Sequence, residues 1–238
     1  MNPAVHPAVN PIAYEHFKVQ RDGPVATLTL ARPSVRNAFS IALMRELTAF
    51  ARACEDDKEI DVVLVTGGAD YFSAGADLRD PDRFAVDGKP FVEQRDAQGT
   101  GFRMCKAWEA MPQITIAAIE GYAIGGGLAF ALACDWRVVA ANAFLSMPEI
   151  GLGFPLTWGT IPRIVSLAGP AQTKRIVILG ERMNAAEAKG FGLVDYVVPG
   201  GGTLAKAQAI AAQVTALGAS GAIMGTSTPT PLTLSVSN

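Results

Sequence analysis

Histidine is scarce in this sequence: His6 and His16 are the only two, and both lie near the N-terminus. Without a histidine farther along the chain, we expect neither a Ser-His-Asp or Cys-His catalytic centre nor a histidine-rich metal site. Cysteine is nearly as rare. Cys54, Cys105 and Cys134 are far apart and odd in number, which indicates buried thiols in a reducing compartment and not a disulfide framework or a zinc site. We therefore predict no metal site.

Excess charge of either sign is also missing, because 20 Lys and Arg residues face 22 Asp and Glu residues. This balance provides no basic field for nucleic acid. The uncharged stretch 121–134 is too short and too rich in glycine to span a bilayer. Residues 1–13 lack the basic start and apolar core of a signal peptide, so we expect a flexible N-terminal arm there. We predict a cytoplasmic protein without nucleic-acid or membrane partners.

Apolar runs and helix-like segments alternate along the chain from residue 17 onwards. Strands are predicted at 17–21, 25–30, 62–66, 113–119, 137–140, 143–146 and 193–198. Helices are predicted at 41–54, 102–111, 128–134, 159–167, 171–179, 184–189 and 204–217, with a short one beginning near Asp77. The charged segment 79–99 is predicted to lie on the surface. This alternation predicts an α/β fold in which helices cover parallel strands.

Three consecutive glycines, Gly125 to Gly127, follow a predicted strand and precede an apolar helix. A helix start leaves several backbone N–H groups without intrahelical partners, and the helix dipole adds partial positive charge there. Such a place can hold an anion, or an oxygen that becomes anionic during a reaction. On its own, the triplet fits equally well with a helix that packs closely on a strand.

A second glycine-containing turn, Ser73-Ala74-Gly75-Ala76, also follows a predicted parallel strand. The carboxyl ends of such strands form the edge of an open α/β sheet at which ligands usually bind. One N–H group from each turn could therefore converge on a carbonyl oxygen, as in an oxyanion hole. Glu149 stands in apolar sequence, which favours a raised pKa and general-base chemistry. Its alternative role is that of a carboxylate capping a helix or turn.

These turns belong to an ordered set of motifs that resembles the enoyl-CoA hydratase/isomerase (crotonase) superfamily. The matching segments are Arg32-Pro33 with Asn37-Ala38, Phe72 to Leu78, Ala118 to Gly127, Cys134 to Arg137, Pro148 to Gly153, and Ala185 to Ala188 before Gly192 to Asp195. Together they cover about residues 17–213. The resemblance implies a crotonase-like (ClpP/crotonase) α/β fold with a ββα spiral core, and an enzyme that acts on an acyl-CoA thioester.

The resemblance also implies catalytic roles. The thioester oxygen would lie between the N–H groups of Ala76 and Gly126, which would stabilise an enolate, and Glu149 would carry the proton. Hydratases of the family usually have a second glutamate three residues after the oxyanion glycine, where this sequence has Ala129. Alanine cannot exchange a proton, which disfavours efficient hydration and leaves reactions of a single base, such as Δ3-to-Δ2 enoyl isomerisation. The alternatives are a pure isomerase and a catalytically weak acyl-CoA binding protein.

Substrate-binding residues are implied in the same way. The adenine of CoA would lie near the loop that holds Ala74, and Arg79, with Arg36 as a weaker candidate, would meet the CoA phosphates. The remaining predicted substrate-binding residues are Asp77, Leu78, Gly125 and Trp158. For Asp77 the alternative is a helix cap, and for Trp158 it is a place in the core. No cofactor is expected, because coenzyme A is part of the substrate.

The domain organisation follows from the span of these motifs. A crotonase core domain is predicted at 14–200. Related chains usually continue with several helices, whereas residues 201–238 contain one predicted helix and a low-charge tail, so the C-terminal region looks shortened. Because the family usually forms trimers or pairs of trimers, we predict a homo-oligomer.

Overall fold

The computed structural model describes residues 14–84, 88 and 90–217, so the predicted arm at 1–13 and the tail at 218–238 lie outside the described residues. The strands described are β1 (Phe17–Asp22), β2 (Val25–Leu30), β3 (Val62–Thr66), β4 (Ile114–Ile119), β5 (Tyr122–Ile124), β6 (Trp136–Ala140), β7 (Phe144–Ser146), β8 (Met183–Asn184) and β9 (Tyr196–Val198). The α-helices are α1 (Ile41–Asp56), α2 (Pro81–Phe84), α3 (Phe91–Gln98), α4 (Thr100–Glu109), α5 (Gly126–Ala131), α6 (Thr160–Leu179), α7 (Ala185–Gly190) and α8 (Thr203–Ala216). Within this part of the chain, no helix has the length and apolar character needed to cross a membrane.

The main sheet has six strands in the order β1-β2-β3-β4-β6-β9. Strands β1 and β2 form an antiparallel hairpin, and every other neighbouring pair is parallel, which confirms the expectation from the β-α alternation. A second sheet contains β5, β7 and β8. The carboxyl ends of β3 and β4 are adjacent, since Thr66 pairs with Ala118. The turn at 73–76 comes after β3, and the glycine triplet comes after β5, the short strand that follows β4 along the chain.

Strand β3 shows how the main sheet separates two apolar layers. Val63 and Val65 point into the larger core, which also contains α1 and α4 side chains. Val62 and Leu64 point to the opposite face, where they meet α8. Successive side chains of a strand alternate between its faces, so a strand buried on both faces needs an uninterrupted apolar run. This run, VVLVT, is why β3 has the predicted bounds.

The short helix predicted near Asp77 is wrong, because the chain becomes helical only at Pro81, where α2 begins. The residue before a proline is disfavoured in helical conformation, whereas proline itself suits the first helical position. Asp77 instead accepts a hydrogen bond from the Arg79 N–H at 3.1 Å, which stabilises a turn. The charged segment 79–99, predicted only as surface, therefore contains both α2 and α3.

Two further differences lie near the glycine triplet. Strand β5 was not predicted, because its three residues are too few for a visible alternation; it pairs with β7. Helix α5 spans Gly126–Ala131, whereas the prediction was 128–134, since the helix begins at a glycine. Glycine has a low helix propensity, so sequence reasoning places such a start too late.

A buried carboxylate directly after β4 has a structural role. Glu120 is 6% exposed, and its oxygens accept hydrogen bonds from Gly201 N at 3.1 Å, Thr203 N at 3.2 Å and Thr203 Oγ1 at 2.7 Å. These donors lie at the start of α8. The carboxylate thus satisfies N–H groups that a helix start leaves without partners, and it fixes α8 to the sheet.

All three cysteines are buried and free, as the sequence predicts. Burial raises the pKa of Cys54 and Cys105 to about 12 and also raises the pKa of Cys134. Because the thiolate is the nucleophilic form, these groups are unreactive in the folded protein.

Candidate active site

A cavity of about 380 Å³ lies at the carboxyl edge of the main sheet. Backbone from both glycine-containing turns lines it, and most of the lining side chains are apolar. The apolar part includes Ile41, Met44, Leu152, Phe154, Leu156 and Trp158. Among the described residues that line this cavity, only Arg83 and Glu149 carry a charge. The described lining of the cavity is therefore mostly apolar, with one acidic and one basic side chain.

The glycine-containing turn at residues 73–77 is paired with the chain around Phe39. The Phe39 N–H donates to Gly75 O at 2.7 Å, and the Asp77 N–H donates to Phe39 O at 3.0 Å. Successive N–H groups of an extended segment point to opposite sides. The N–H of Ala76, which lies between these two bonds, consequently points away from Phe39 toward the cavity.

Buried polar side chains hold this turn in place. Ser73 Oγ donates to Asn37 O at 2.8 Å and accepts from Gly75 N at 3.1 Å. Asn37 Nδ2 donates to Gly67 O at 2.9 Å and to Phe72 O at 3.2 Å. Ser73 is fully buried and Asn37 nearly so. A buried network whose members find partners is rigid, so the direction of the turn's N–H groups is fixed.

The two turns pack backbone against backbone. A Cβ atom on Gly127 would lie 2.7 Å from Ser73 Cβ, and one on Gly126 would lie 3.2 Å from Ala76 N. Within the described chain, the N–H groups of Ala76 and Gly126 donate to no other group. Two free donors from different turns thus lie side by side at the cavity wall, which is the arrangement of an oxyanion hole.

Glu149 lies directly against the triplet, at the start of a 3₁₀ helix that spans Glu149–Leu152. A Cβ atom on Gly125 would collide with Glu149 Oε1, and Gly125 has a φ of 49°, a conformation that favours glycine. Glu149 Oε2 is buried without a hydrogen-bond partner among the described residues. Desolvation raises the pKa of Glu149, although a hydrogen bond from its own backbone opposes the shift. Such a carboxylate suits proton transfer near neutral pH.

The predicted site residues divide into two groups. The cavity lining contains Ala74, Ala76, Leu78, Gly125, Gly126, Glu149 and Trp158. Asp77, Arg79 and Arg36 do not line it. Asp77 forms an ion pair with Arg32 at 3.1 Å, and the Arg79 side chain is exposed. Trp158 packs beside Phe39 with its ring above Gly126, so it belongs to both cavity and core.

Position 129 lies on α5 and lines the cavity, as Gly126 and Glu149 do. Ala129 is 2% exposed and brings no titratable group to this position. Since no other acid from the described residues lines the cavity, chemistry there has Glu149 as its single carboxylate.

Sequence reasoning did not find Arg83, the second charged residue of the cavity. It lies in the charged segment 79–99, and a run of charges usually indicates a solvated face. The pair Asp80-Pro81 was the available signal, because an aspartate before a proline is typical of a helix start.

One group of potential metal ligands lies away from the cavity. Glu15, His16 and Glu46 bring ligand atoms within 4.8 Å of one another. However, the Glu46 oxygens already accept hydrogen bonds from the N–H groups of Glu15 and His16, at 3.1 and 3.0 Å. This arrangement ties the residues before β1 to α1 and accounts for the cluster without a metal.

Comparison with known proteins gives a consistent result. The family model described as "Enoyl-CoA hydratase/isomerase" matches residues 20–224. A Mycobacterium tuberculosis protein named "Probable enoyl-CoA hydratase echA8" is 35% identical over 216 residues, which cover 90% of this chain and 80% of the relative. The crystal structure of a Bacillus anthracis enoyl-CoA hydratase has a TM-score of 0.77 at 32% identity, with 84% of this chain and 77% of that chain covered.

A Thermobifida fusca relative was solved in complex with acetoacetyl-CoA. It is 29% identical to this chain, with a TM-score of 0.76, and the match covers 84% of this chain and 80% of that chain. The crotonase-like α/β fold predicted from the motifs is confirmed by these neighbours. The chain belongs to the enoyl-CoA hydratase/isomerase family.

Proposed function

We propose that this protein binds an acyl-CoA thioester and moves a proton through its enolate, converting a 3-enoyl-CoA to a 2-enoyl-CoA. The observation that carries the proposal is the pair of free N–H groups, from Ala76 and Gly126, beside the single carboxylate of Glu149. The acyl-CoA ligand of the Thermobifida fusca relative supports this class of substrate.

The two N–H groups have a defined role in this reaction. The thioester oxygen accepts a hydrogen bond from each of them. The proton that is removed lies on the carbon next to the carbonyl. As that proton leaves, negative charge moves onto the oxygen. A preorganised donor at such a position is worth roughly 2.7–4 kcal/mol of the barrier.

Glu149 supplies the base. Its carboxylate removes the proton from C2 of the 3-enoyl group, which forms a dienolate, and the same carboxyl group returns a proton to C4. The double bond then lies between C2 and C3. Partial burial removes water from Glu149 and raises its pKa, which makes the carboxylate a stronger base than usual. One acid is sufficient because the carboxyl group that takes a proton at C2 also gives one at C4, and its proton exchanges with solvent between the two steps.

Hydration is the second candidate, and the name of the Mycobacterium tuberculosis relative favours it. It requires that water add to C3 while a proton goes to C2. Relatives of the hydratase type share this work between two glutamates, and Ala129 stands at the position of one of them. Glu149 would then have to activate the water and deliver the proton alone.

The proposal extends to assembly and location. It requires no metal and no separate cofactor, since CoA enters with the substrate. The proposed location is the cytoplasm, and the proposed process is fatty acid metabolism. The proposed assembly is a trimer or a pair of trimers. Ile150, Leu152 and Phe154 are 53%, 58% and 41% exposed, and clustered exposed apolar side chains mark interaction surfaces. Sedimentation equilibrium should give three or six chains per particle, and a monomer would contradict this part.

The test is turnover in deuterated water with 3-hexenoyl-CoA and crotonyl-CoA. Glu149→Gln keeps the shape of the side chain and removes the base, and Glu181→Gln changes an exposed glutamate as the matched control. The wild type and the control should form 2-hexenoyl-CoA and exchange deuterium at C2 and C4. Glu149→Gln should lose activity by roughly 10²–10⁴-fold, the usual value of a general base.

Each other outcome has a definite meaning. Full exchange by Glu149→Gln would exclude Glu149 as the proton carrier. A 3-hydroxyacyl product from crotonyl-CoA would select hydration. Tight thioester binding without exchange in the wild type would identify an acyl-CoA binding protein and refute the enzymatic proposal.

A further inference from the structure

Arg83 is the cation of the cavity, and nothing in the chemistry described so far uses it. It lies in α2, whereas the oxyanion donors and Glu149 come from turns that follow β3, β5 and β7. Ile41 and Met44, at the start of α1, line the cavity with it. A charged side chain in an apolar cavity needs a reason, because burying a charge without a partner costs free energy.

The guanidinium of Arg83 has no partner among the residues that the structure describes. Its Nη1 atom is buried and makes no hydrogen bond within the described residues, and no ion pair is formed between Arg83 and another side chain there. Desolvation lowers the pKa of Arg83, while the charges of Asp80 and Asp77 oppose this effect. These two carboxylates attract the cation from a distance but do not bond to it.

Both neighbouring carboxylates are engaged elsewhere. Asp80 Oδ2 accepts from Ile41 N at 2.6 Å, and its Oδ1 accepts from Asp82 N at 3.1 Å. Asp77 Oδ2 pairs with Arg32 at 3.1 Å, and its Oδ1 accepts from Arg79 N. Neither can turn to Arg83 without giving up these bonds. The two acids therefore anchor the segment that carries Arg83 and leave its guanidinium available.

Guanidinium is the side-chain group best suited to bind a carboxylate, since its planar fork donates two parallel hydrogen bonds. An ion pair between guanidinium and carboxylate is strong in a site from which water is excluded. An acyl group with an uncharged end would leave the cation without a partner. A ligand anion in the cavity would supply the missing counter-charge. Glu149 is not that partner, because no ion pair joins it to Arg83 and its Oε2 is itself without one.

We propose that Arg83 selects acyl groups that end in a carboxylate, so that the preferred substrates are mono-CoA thioesters of dicarboxylic acids. This inference rests on the proposed function, for which it names the substrate class. The phosphates of CoA also offer anionic oxygens to a guanidinium, as a carboxylate does. Because the phosphates are common to every CoA ester, the two sources are separated by comparing acyl groups.

The experiment compares two substrates that differ only at the chain end. The pair is 3-hexenoyl-CoA and the mono-CoA thioester of 3-hexenedioic acid, which have the same number of acyl carbons and end in methyl and carboxylate. Each is assayed with the wild type, Arg83→Met, Arg83→Lys and Arg45→Met. Arg45 is an exposed arginine on α1 outside the cavity lining, and it serves as the matched control.

The wild type should prefer the dicarboxylic substrate. Arg83→Met should lower the ratio of kcat/KM for the dicarboxylic substrate to kcat/KM for 3-hexenoyl-CoA by roughly 10- to 100-fold, the loss expected for a hydrogen bond between charged groups. Arg83→Lys keeps the charge without the fork and should recover part of the loss. The chemical denaturation midpoint of Arg83→Met should not fall, because the Nη1 atom that it removes is buried without a partner among the described residues.

Three results would overturn the inference. Equal losses for both substrates, with weaker binding of free CoA, would assign Arg83 to a CoA phosphate. A wild type that prefers the methyl-ended chain would exclude carboxylate selection. A dicarboxylic preference that survives in Arg83→Met would place the recognition elsewhere.

Calorimetry with the saturated esters separates this inference from the proposed function. If the wild type turns over no thioester, yet binds adipyl-CoA more tightly than hexanoyl-CoA and loses that difference in Arg83→Met, the proposed reaction fails and the role of Arg83 stands. If turnover is normal and this difference is absent, the reaction stands and the role of Arg83 fails.

Discussion

The two sides of the cavity are built in different ways. One side, which we term the glycine wall, consists of residues 73–77 and 125–127 and presents backbone N–H groups. The other, the helical wall, consists of α2 with Arg83 and presents a long side chain. On the glycine wall the buried polar side chains have partners, whereas on the helical wall the guanidinium has none among the described residues.

This difference separates chemistry from selectivity. The glycine wall would bind the thioester oxygen, which every acyl-CoA has, so its donors need a fixed direction and no adaptability. The helical wall would meet the variable end of the acyl group, where one side chain can change the preference. Substitutions in the glycine wall should therefore affect all substrates alike, while substitutions in the helical wall should affect some substrates only.

The largest expected effect is that of Gly126→Ala. The new Cβ would lie 3.2 Å from Ala76 N and 2.6 Å from the Trp158 ring, so it would crowd the place of the thioester oxygen. We expect kcat to fall roughly 10²–10³-fold, as for loss of an oxyanion donor, with methyl-ended and carboxylate-ended substrates alike. Gly190→Ala, where a Cβ meets nothing within 4 Å, is the control. A loss confined to one acyl group would contradict the distinction between the walls.

The next largest effect concerns the support of the glycine wall. Asn37 is 2% exposed, accepts from Arg32 N at 3.0 Å and donates to two carbonyls, so Asn37→Ala would leave buried backbone groups without partners. We expect a loss of about 2–4 kcal/mol in the free energy of unfolding, measured in urea. The exposed Asn142→Ala should stay within about 0.5 kcal/mol of wild type. An unchanged midpoint for Asn37→Ala would mean that the network does not hold the wall.

A smaller effect is expected from adding a second acid. Ala129→Glu would add a second carboxylate to the cavity lining that contains Glu149, and Ala129→Gln adds the same volume without the charge. Hydration of crotonyl-CoA should be roughly tenfold faster in Ala129→Glu than in Ala129→Gln, toward the lower limit of general acid–base catalysis. The preference between acyl ends should not change. A changed preference with no gain in hydration would show that position 129 belongs functionally to the helical wall.

The smallest expected effect is the pH dependence of stability. Because burial raises the pKa of Glu149, the folded state binds its proton more tightly than the unfolded state. This contribution is complete below the ordinary carboxyl pKa and is lost as the pH rises through the raised pKa. Glu149→Gln should therefore match the wild type in acid and be the more stable protein at neutral pH. Denaturation midpoints across this range test the sign, and parallel curves would contradict it.

Sequence reasoning succeeded where a single physical requirement can be met by only one type of residue. The run Val62 to Thr66 satisfies two buried faces, so its strand was predicted with the observed bounds. Gly125 and Gly126 are required by close approaches that a Cβ would block, and glycine is visible in any sequence. Glu149 was a candidate from its apolar sequence context, with capping as the alternative, whereas Trp158 was named as substrate-binding only because the motifs resemble those of a known family.

Sequence reasoning failed where a side chain's surroundings decide its role. Arg79 and Arg83 are four positions apart in one charged segment, and nothing in their sequence context distinguishes the exposed arginine from the one in the cavity. The difference arises from packing of α2 near the start of α1, through the bond between Asp80 and Ile41 N. That contact joins residues 39 positions apart, beyond the reach of local patterns.

The burial of every cysteine has a practical consequence for measuring these variants. Since Cys54, Cys105 and Cys134 are closed to solvent in the folded chain, a thiol reagent can label them only when the surrounding structure opens. The rate of labelling thus measures how often the surrounding structure opens under native conditions, without denaturant. Cys105 makes a long Sγ contact of 3.9 Å to Ala129 O, so its labelling reports on the core directly behind the cavity. Labelling of Cys54, at the far end of α1, reports on a separate part of the fold.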